Sequence, residues 1–238
     1  MTKRTAHAFL SHFERILARR LATVAHFSAA VRERALAAKD DPDIPHLRRP
    51  EEVFLNEHAI PCLAAELKSY FKLSDQQAAE ALLAENFRHL NGASLASPVR
   101  SAKHPFDKTF APDPLKLLAH WQAGKANSLR QSCPDFALRS PAPCTVVFEG
   151  KYFDKGTERA AAATLVKNIY QAFFYRALPK VTPSRSHAAW DYEYSCLLAC
   201  DASPEGRLHA AWNGIPPAIR EGFWDGASVY VMILRANP

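Results

Sequence analysis

A chain of 238 residues, 48% apolar and 23% charged, has the composition of a globular protein and the length for one sizeable core. No apolar run approaches the roughly 18 residues of a membrane span, and the basic start MTKRTAHAFLSHFERILARR, broken by His, Glu and Arg, lacks the continuous apolar segment of a signal peptide. A formal charge of +6 favours a polyanionic partner without deciding it, no membrane role is expected, and the cytoplasm is the default location.

Residues 5 to 38 carry apolar side chains at helical spacing with no Pro or Gly, which predicts one or two amphipathic helices. The basic clusters RRLATVAHFSAAVRER and VRSAKHPFDK fit a polyanion surface or an ordinary solvated face equally well. After the polar linker KDDPDIPHLRRP, the segment EEVFLNEHAIPCLAAELKSYF has a stripe of Ile60, Leu63, Ala64, Leu67 and Phe71, with Pro61 set to kink or restart the helix. Ser74 and Gln77 form a capping box opening SDQQAAEALLAENFRHL, closed by Asn91-Gly92. A loop over 92–114 and a short helix, DPLKLLAHWQAG, follow.

From residue 127 the period changes. NSLRQSC, DFALRS and CTVVFEGKYF are short, rich in β-branched and aromatic residues and bounded by Pro and Gly, the pattern of a meander. A helix over 157–178 with Thr157 as N-cap, a buried strand in YEYSCLLACDA, irregular helix in PEGRLHAAWNGIPPAIREGFW and a final strand in SVYVMILR complete the chain. The order predicts an α/β fold, a mixed β-sheet flanked by helices. Residues 1–45 read as an N-terminal helical extension and 46–238 as the α/β core, together one compact unit. Cys62, Cys133, Cys144, Cys196 and Cys200 contain no CxxC pair and read as reduced, buried thiols.

The hairpin CPDFALRSPAPCTVVFEGKYF carries the chemistry. Glu149 and Lys151, two apart on a strand, share a face, and Gly150 between them admits a close approach. A three-residue loop, Pro141-Ala142-Pro143, pairs Ser140 with Cys144 and hence Asp135 with Glu149, setting two carboxylates roughly 5 Å apart at Cβ. Like charges so placed call for a cation. Two hard oxygen ligands suit Mg²⁺, with Mn²⁺ as its substitute. The metal would lower the pKa of a bound water for phosphodiester hydrolysis, and the Lys151 ammonium would orient that water.

Asp135 after a Pro, followed by Glu149-Gly150-Lys151, resembles the motif of the PD-(D/E)xK nuclease superfamily, of restriction-endonuclease-like fold. The resemblance implies that Asp135 and Glu149 hold the metal and that Lys151 assists the water. In the helix that follows, Gln171 and Tyr175 form Q-x-x-x-Y, similar to the extra motif of the RecB-like branch, and Lys167 continues the same helix face. The family often adds an acid from the helix before the sheet. Of Glu52, Glu57 and Glu66, Glu57 lies on the inward line of Val53, Ile60 and Ala64 and is the expected residue. The resemblance spans about residues 50 to 235. No GxxxxGK[ST] loop is present, so the chain is not its own ATP-driven motor, and the four-cysteine cluster of some RecB-like relatives is missing.

The expected function is Mg²⁺-dependent hydrolysis of DNA, in restriction, phage defence or repair, by a homodimer or by a partner subunit of a larger nuclease system. The alternative is a non-catalytic nucleic-acid-binding or protein-interaction module on the same fold. A third reading, a basic helical adaptor with an accidental hairpin, requires Asp135 and Glu149 on opposite sheet faces.

Overall fold

The computed structural model of the chain describes residues 2–41, 43–44, 47–84, 135–181 and 192–236. Helix α1 (Lys3–Ala22) starts where the Thr5 N–H donates to Thr2 Oγ1 at 3.3 Å, a side-chain cap for an amide that has no partner within the helix. Its apolar residues Ala6, Phe9, Leu10, Phe13, Leu17 and Leu21 recur at helical spacing and are buried, as one stripe of an amphipathic helix must be. Helix α2 (Phe27–Ala37) follows a turn through His26, which has a left-handed backbone.

Next, α3 (Pro50–Val53) passes through a π-helical turn, Phe54–Ala59, into α4 (Ile60–Phe71). Pro61 has no N–H to offer the carbonyl four residues back and its ring crowds that carbonyl. The Ile60 N–H therefore reaches back five residues to the Leu55 carbonyl, and the helix takes in one extra residue before α4 begins at Ile60. Helix α5 (Asp75–Ala81) opens with the expected capping box, Gln77 N–H to Ser74 Oγ at 3.2 Å and Ser74 N–H to Gln77 Oε1 at 2.9 Å.

That helix stops at Ala81 instead of continuing to Asn91, because Leu82–Ala84 form strand β1, paired antiparallel with β2 (Phe136–Leu138). Helix-favouring residues here yield to a ladder of interstrand hydrogen bonds. The expected loop over 92–114, the helix DPLKLLAHWQAG and the strand NSLRQSC lie outside the described residues. Strand β3 (Val146–Phe153), helix α6 (Glu158–Val181), strand β4 (Tyr194–Asp201), helices α7 (Arg207–Asn213) and α8 (Pro217–Asp225) and strand β5 (Val229–Arg235) follow. Thr157 caps α6 as expected, taking the Ala160 N–H on Oγ1 at 3.2 Å.

The sheet has five strands in sequence order, antiparallel through β1, β2 and β3 and parallel through β3, β4 and β5. The parallel pairs need crossovers, which α6 and the α7–α8 pair supply. On one face Val146, Phe148, Cys196, Leu198, Cys200, Met232 and Leu234 join α1 to α5 in one buried cluster. On the other, Phe153, Leu197, Ala199 and Ile233 pack against Ala161, Leu165, Ile169 and Ala172 of α6 and Leu208 of α7. The architecture is therefore a mixed sheet between two helical layers.

Helices α1 and α2, from the segment read as an extension, contribute buried residues to this core. The stripe of α1 belongs to the same cluster as Phe148 and Met232, and the Tyr230 hydroxyl of β5 donates to Glu14 of α1 at 2.6 Å. Cys62, Cys144, Cys196 and Cys200 are buried free thiols, and Cys133 lies outside the described residues. Among the described residues no helix is long and apolar enough to cross a membrane.

Phe13 has no exposed surface, so Phe13→Ala should cost about 3–5 kcal/mol. Urea unfolding should show a lowered midpoint with an unchanged slope in a single transition, as expected if α1 and the sheet unfold together.

Candidate active site

The hairpin adopts the expected register. Phe136 pairs with Phe148, Ala137 with Val147 and Leu138 with Val146, and the rings of Phe136 and Phe148 stack 4.4 Å apart. One step further, where Asp135 would face Glu149, the regular ladder ends. The Asp135 N–H donates to the Phe148 carbonyl at 3.2 Å, and the Asp135 carboxylate accepts the Gly150 N–H at 2.6 Å. A side-chain oxygen thus takes the amide that the next carbonyl of a longer β2 would have taken. Beyond Phe148, β3 has no partner strand on this edge among the described residues, and that open edge carries Glu149, Gly150 and Lys151.

Gly150 admits the close approach its position suggested, and the visitor is Leu55 of the π turn. A Cβ on Gly150 would lie 2.6 Å from both Leu55 methyl carbons. Four residues before Leu55, on the same side of the helix, stands Glu51, whose carboxylate meets the Lys151 ammonium at 2.7 Å. Burial pulls the Lys151 pKa down, but the charges of Glu51, Glu149 and Asp135 together with the Glu51 hydrogen bond prevail and raise it. The lysine is therefore a fixed cation, a donor rather than a base. Asp135 moves the other way: burial first, then the Glu51 charge, push its carboxyl up to about 7 against the opposing Gly150 hydrogen bond, Lys151 and Arg49.

The acid that the preceding helix brings to Lys151 is Glu51, whereas Glu57, the acid expected there, lies elsewhere. Glu57 pairs with Arg34 at 2.7 Å, Glu52 with Arg49 at 2.6 Å, and Glu66 with His12 at 2.7 Å. The inward line drawn through Val53, Glu57 and Ile60 assumed an unbroken α-helical period. The extra residue of the π turn rotates the helix between Val53 and Ile60, leaving both buried while Glu57 turns outward. The signal that could have found Glu51 was Pro61, whose missing N–H makes a phase shift in the turn before it.

Glu149 is buried, on the sheet face covered by α6. Gln171, Asn168 and Ser195 are buried in the same layer, and these four make up half of the eight buried polar residues among those described. From Phe153 back to Glu149 a strand descends about 13 Å, which a helix starting at Ala161, packed with Phe153, spans in about nine residues. The turn from Lys167 to Gln171 therefore runs level with Glu149. The Tyr175 side chain lies outside the described residues.

Among the described residues no three or more His, Cys, Asp and Glu side chains group closely enough to hold a metal ion by themselves. Asp135 and Glu149 nevertheless match the one or two carboxylates with which Mg²⁺ is held when water fills its other positions. A carboxyl raised by burial and by a neighbouring acid is also one whose ionised form a divalent cation would favour.

Two expectations follow. Gly150→Ala should destabilise the fold by about 1–3 kcal/mol by overpacking, and combining it with Leu55→Ala should cost less than the sum of the two single changes, as a double-mutant cycle of urea midpoints would reveal. Because the folded-state pKa of Asp135 lies near 7, above its ordinary value of 3.8, the folded state binds the proton more tightly. This residue's contribution to stability therefore falls as pH rises from about 4 to 7. Asp135→Asn keeps an acceptor for Gly150 and removes the titration, so the variant should gain stability relative to the parent between pH 5 and pH 8 in urea titrations. Compared with known protein families, curated proteins and solved structures, the chain matches none of them.

Proposed function

We propose that the chain is a Mg²⁺-dependent deoxyribonuclease that hydrolyses phosphodiester bonds on a restriction-endonuclease-like core. The observation that carries this reading is the Lys151 ammonium at the edge of β3, electrostatically coupled to Asp135, Glu149 and Glu51 alike, with Asp135 coupled in turn to Lys151 and Glu51. A binding surface has no need of three acids around one partly buried lysine, and leaving them uncompensated is costly.

In this reading Asp135 and Glu149 hold the ion, which when bound supplies charge stabilisation at the phosphate and an acidified water. Lys151 stays protonated and donates to the attacking water or to a phosphate oxygen, where a fixed positive charge favours the transition state over the ground state. Glu51 holds the ammonium in position. Gln171, on the helix level with Glu149, offers both a donor and an acceptor. The net charge of +6 supplies general attraction for DNA. The RecB-like branch, a place in restriction, phage defence or repair, a cytoplasmic site of action, and assembly as a homodimer or with a larger nuclease are parts of the same proposal.

One observation favours a second reading. The Asp135 carboxylate already accepts the Gly150 N–H and Lys151 already pairs with Glu51, so both groups have structural partners, as in a non-catalytic nucleic-acid-binding module on the same scaffold.

Incubation of purified protein with plasmid and linear DNA, with Mg²⁺ or with chelator, separates the two. Cleavage should require the metal. Asp135→Ala and Lys151→Ala should each lower it by at least about 100-fold while circular dichroism shows a folded chain, and Gln171→Ala should lower it by more than its loss of folded fraction explains. Either of the first two variants cutting at the parental rate would refute the assignment. DNA binding without any metal-dependent cleavage would select the second reading.

A further inference from the structure

Away from the acid cluster, a cavity of about 270 Å³ opens at the β5 edge of the sheet, between α1 and the α7–α8 pair. Its lining includes Trp212, Trp224 and Tyr230 together with Arg220, His7 and Glu221. The aromatic wall is packed ring on ring. Trp224 lies 5.2 Å from Tyr194 in a stacked pair, 5.3 Å from His7 and 5.9 Å from Tyr230. The cations are held by the rings: the Lys3 ammonium sits 5.5 Å from the Trp224 centroid and the Arg220 guanidinium 5.8 Å from that of Trp212, both within cation–π range. Arg220 Nη1 donates to Asn213 Oδ1 at 3.2 Å, while its buried Nε has no acceptor among the described residues. The guanidinium is thus positioned by Asn213 and by the Trp212 ring.

We infer that this cavity binds one unpaired nucleotide, its base against the tryptophans and its phosphate on Arg220. Flat π surfaces beside fixed cations are what unpaired bases and their phosphates require, because every base offers a π face and the backbone a charge. Glu221 in the same wall would repel a bare anion, but it accepts from an exocyclic amino group such as N4 of cytosine. The pocket therefore takes a base together with its phosphate, and cytosine ahead of thymine. The inference is independent of the acid cluster, since none of the lining residues belongs to it. The nucleotide comes either free or as a unit of a single strand, and the recognising chemistry is the same.

The test uses the full chain in chelator, so that cleavage plays no part. Binding of labelled oligo(dC) and oligo(dT) is followed by fluorescence anisotropy, with dCMP and inorganic phosphate as competitors. Oligo(dC) should bind more tightly than oligo(dT). Trp212→Ala and Arg220→Gln should each weaken its binding about tenfold or more, Trp212→Phe should largely retain it, and Glu221→Ala should remove the preference for cytosine. Thermal melts confirm that each variant is folded; should Trp212→Ala fail to fold, Arg220→Gln and Glu221→Ala carry the test. Competition by dCMP identifies a free nucleotide as a sufficient ligand, and competition by longer strands alone identifies the strand; either supports the site. Equal binding by parent and variants, competition by inorganic phosphate as strong as by dCMP, or no binding of any nucleotide overturns it. Mg²⁺-dependent cleavage is scored separately, so loss of one conclusion leaves the other readable.

Discussion

The hydrogen bond from the Gly150 amide to the Asp135 carboxylate, 2.6 Å long, organises the centre of this molecule. It occupies the donor that a further strand carbonyl would have used, and among the described residues the second half of β3 has no partner strand on that edge. A partly buried carboxylate accepting a backbone N–H makes one of the stronger hydrogen bonds available, which compensates part of the cost of drawing Asp135 away from water. The remainder of that cost appears in its raised pKa. A strand carbonyl in the same place would have satisfied the amide equally well while bringing no charge. Closing the ladder with a side chain is what puts an acid at this edge.

The rest of the cluster answers to that charge. Lys151 is held between Glu51, Glu149 and Asp135, and Glu51 reaches it because Leu55, one helical turn on, fits into the space left by the missing Cβ of Gly150. Gly150 thereby serves twice, through its amide toward Asp135 and through its bare Cα toward Leu55. The two roles join the helical layer to the hairpin at one residue, so the spacing of acids and lysine depends on how closely the π turn approaches β3. Loose packing there would move the charges apart without breaking any of them.

The two faces of the sheet differ in kind. The side covered by α1 to α5 is an aliphatic and aromatic core in which Phe9, Phe13, Phe54 and Phe148 have no exposed surface. The side covered by α6 buries Glu149, Asn168, Gln171 and Ser195 among smaller apolar residues, and Asn168 Oδ1 and Ser195 Oγ have no hydrogen-bond partner among the described residues. Polar groups buried without partners are expensive. Their concentration in the layer under α6 sets that face apart from the apolar one.

Much of this was legible in the residues themselves. Alternation in CTVVFEGKYF, the Ser74–Gln77 capping box and the stripe of α1 are local patterns whose period or hydrogen bond lies within a few residues, and such patterns survive folding unchanged. The hairpin register was also local, since a short turn leaves few ways to align its arms. What the sequence could not decide was whatever depended on distant partners. Leu82–Ala84 have the propensity of a helix and became a strand because Phe136–Leu138 arrived beside them. Glu57 fitted the helical line but was turned away by the extra residue of the π turn, and Glu51 took the place by Lys151. Whether Asp135 would complete the ladder or cap it was settled only in the folded chain, where its carboxylate takes the Gly150 N–H. Periodicity fixes which face a side chain takes, but a single inserted residue or a neighbouring strand resets that face, and only the tertiary structure holds such resets.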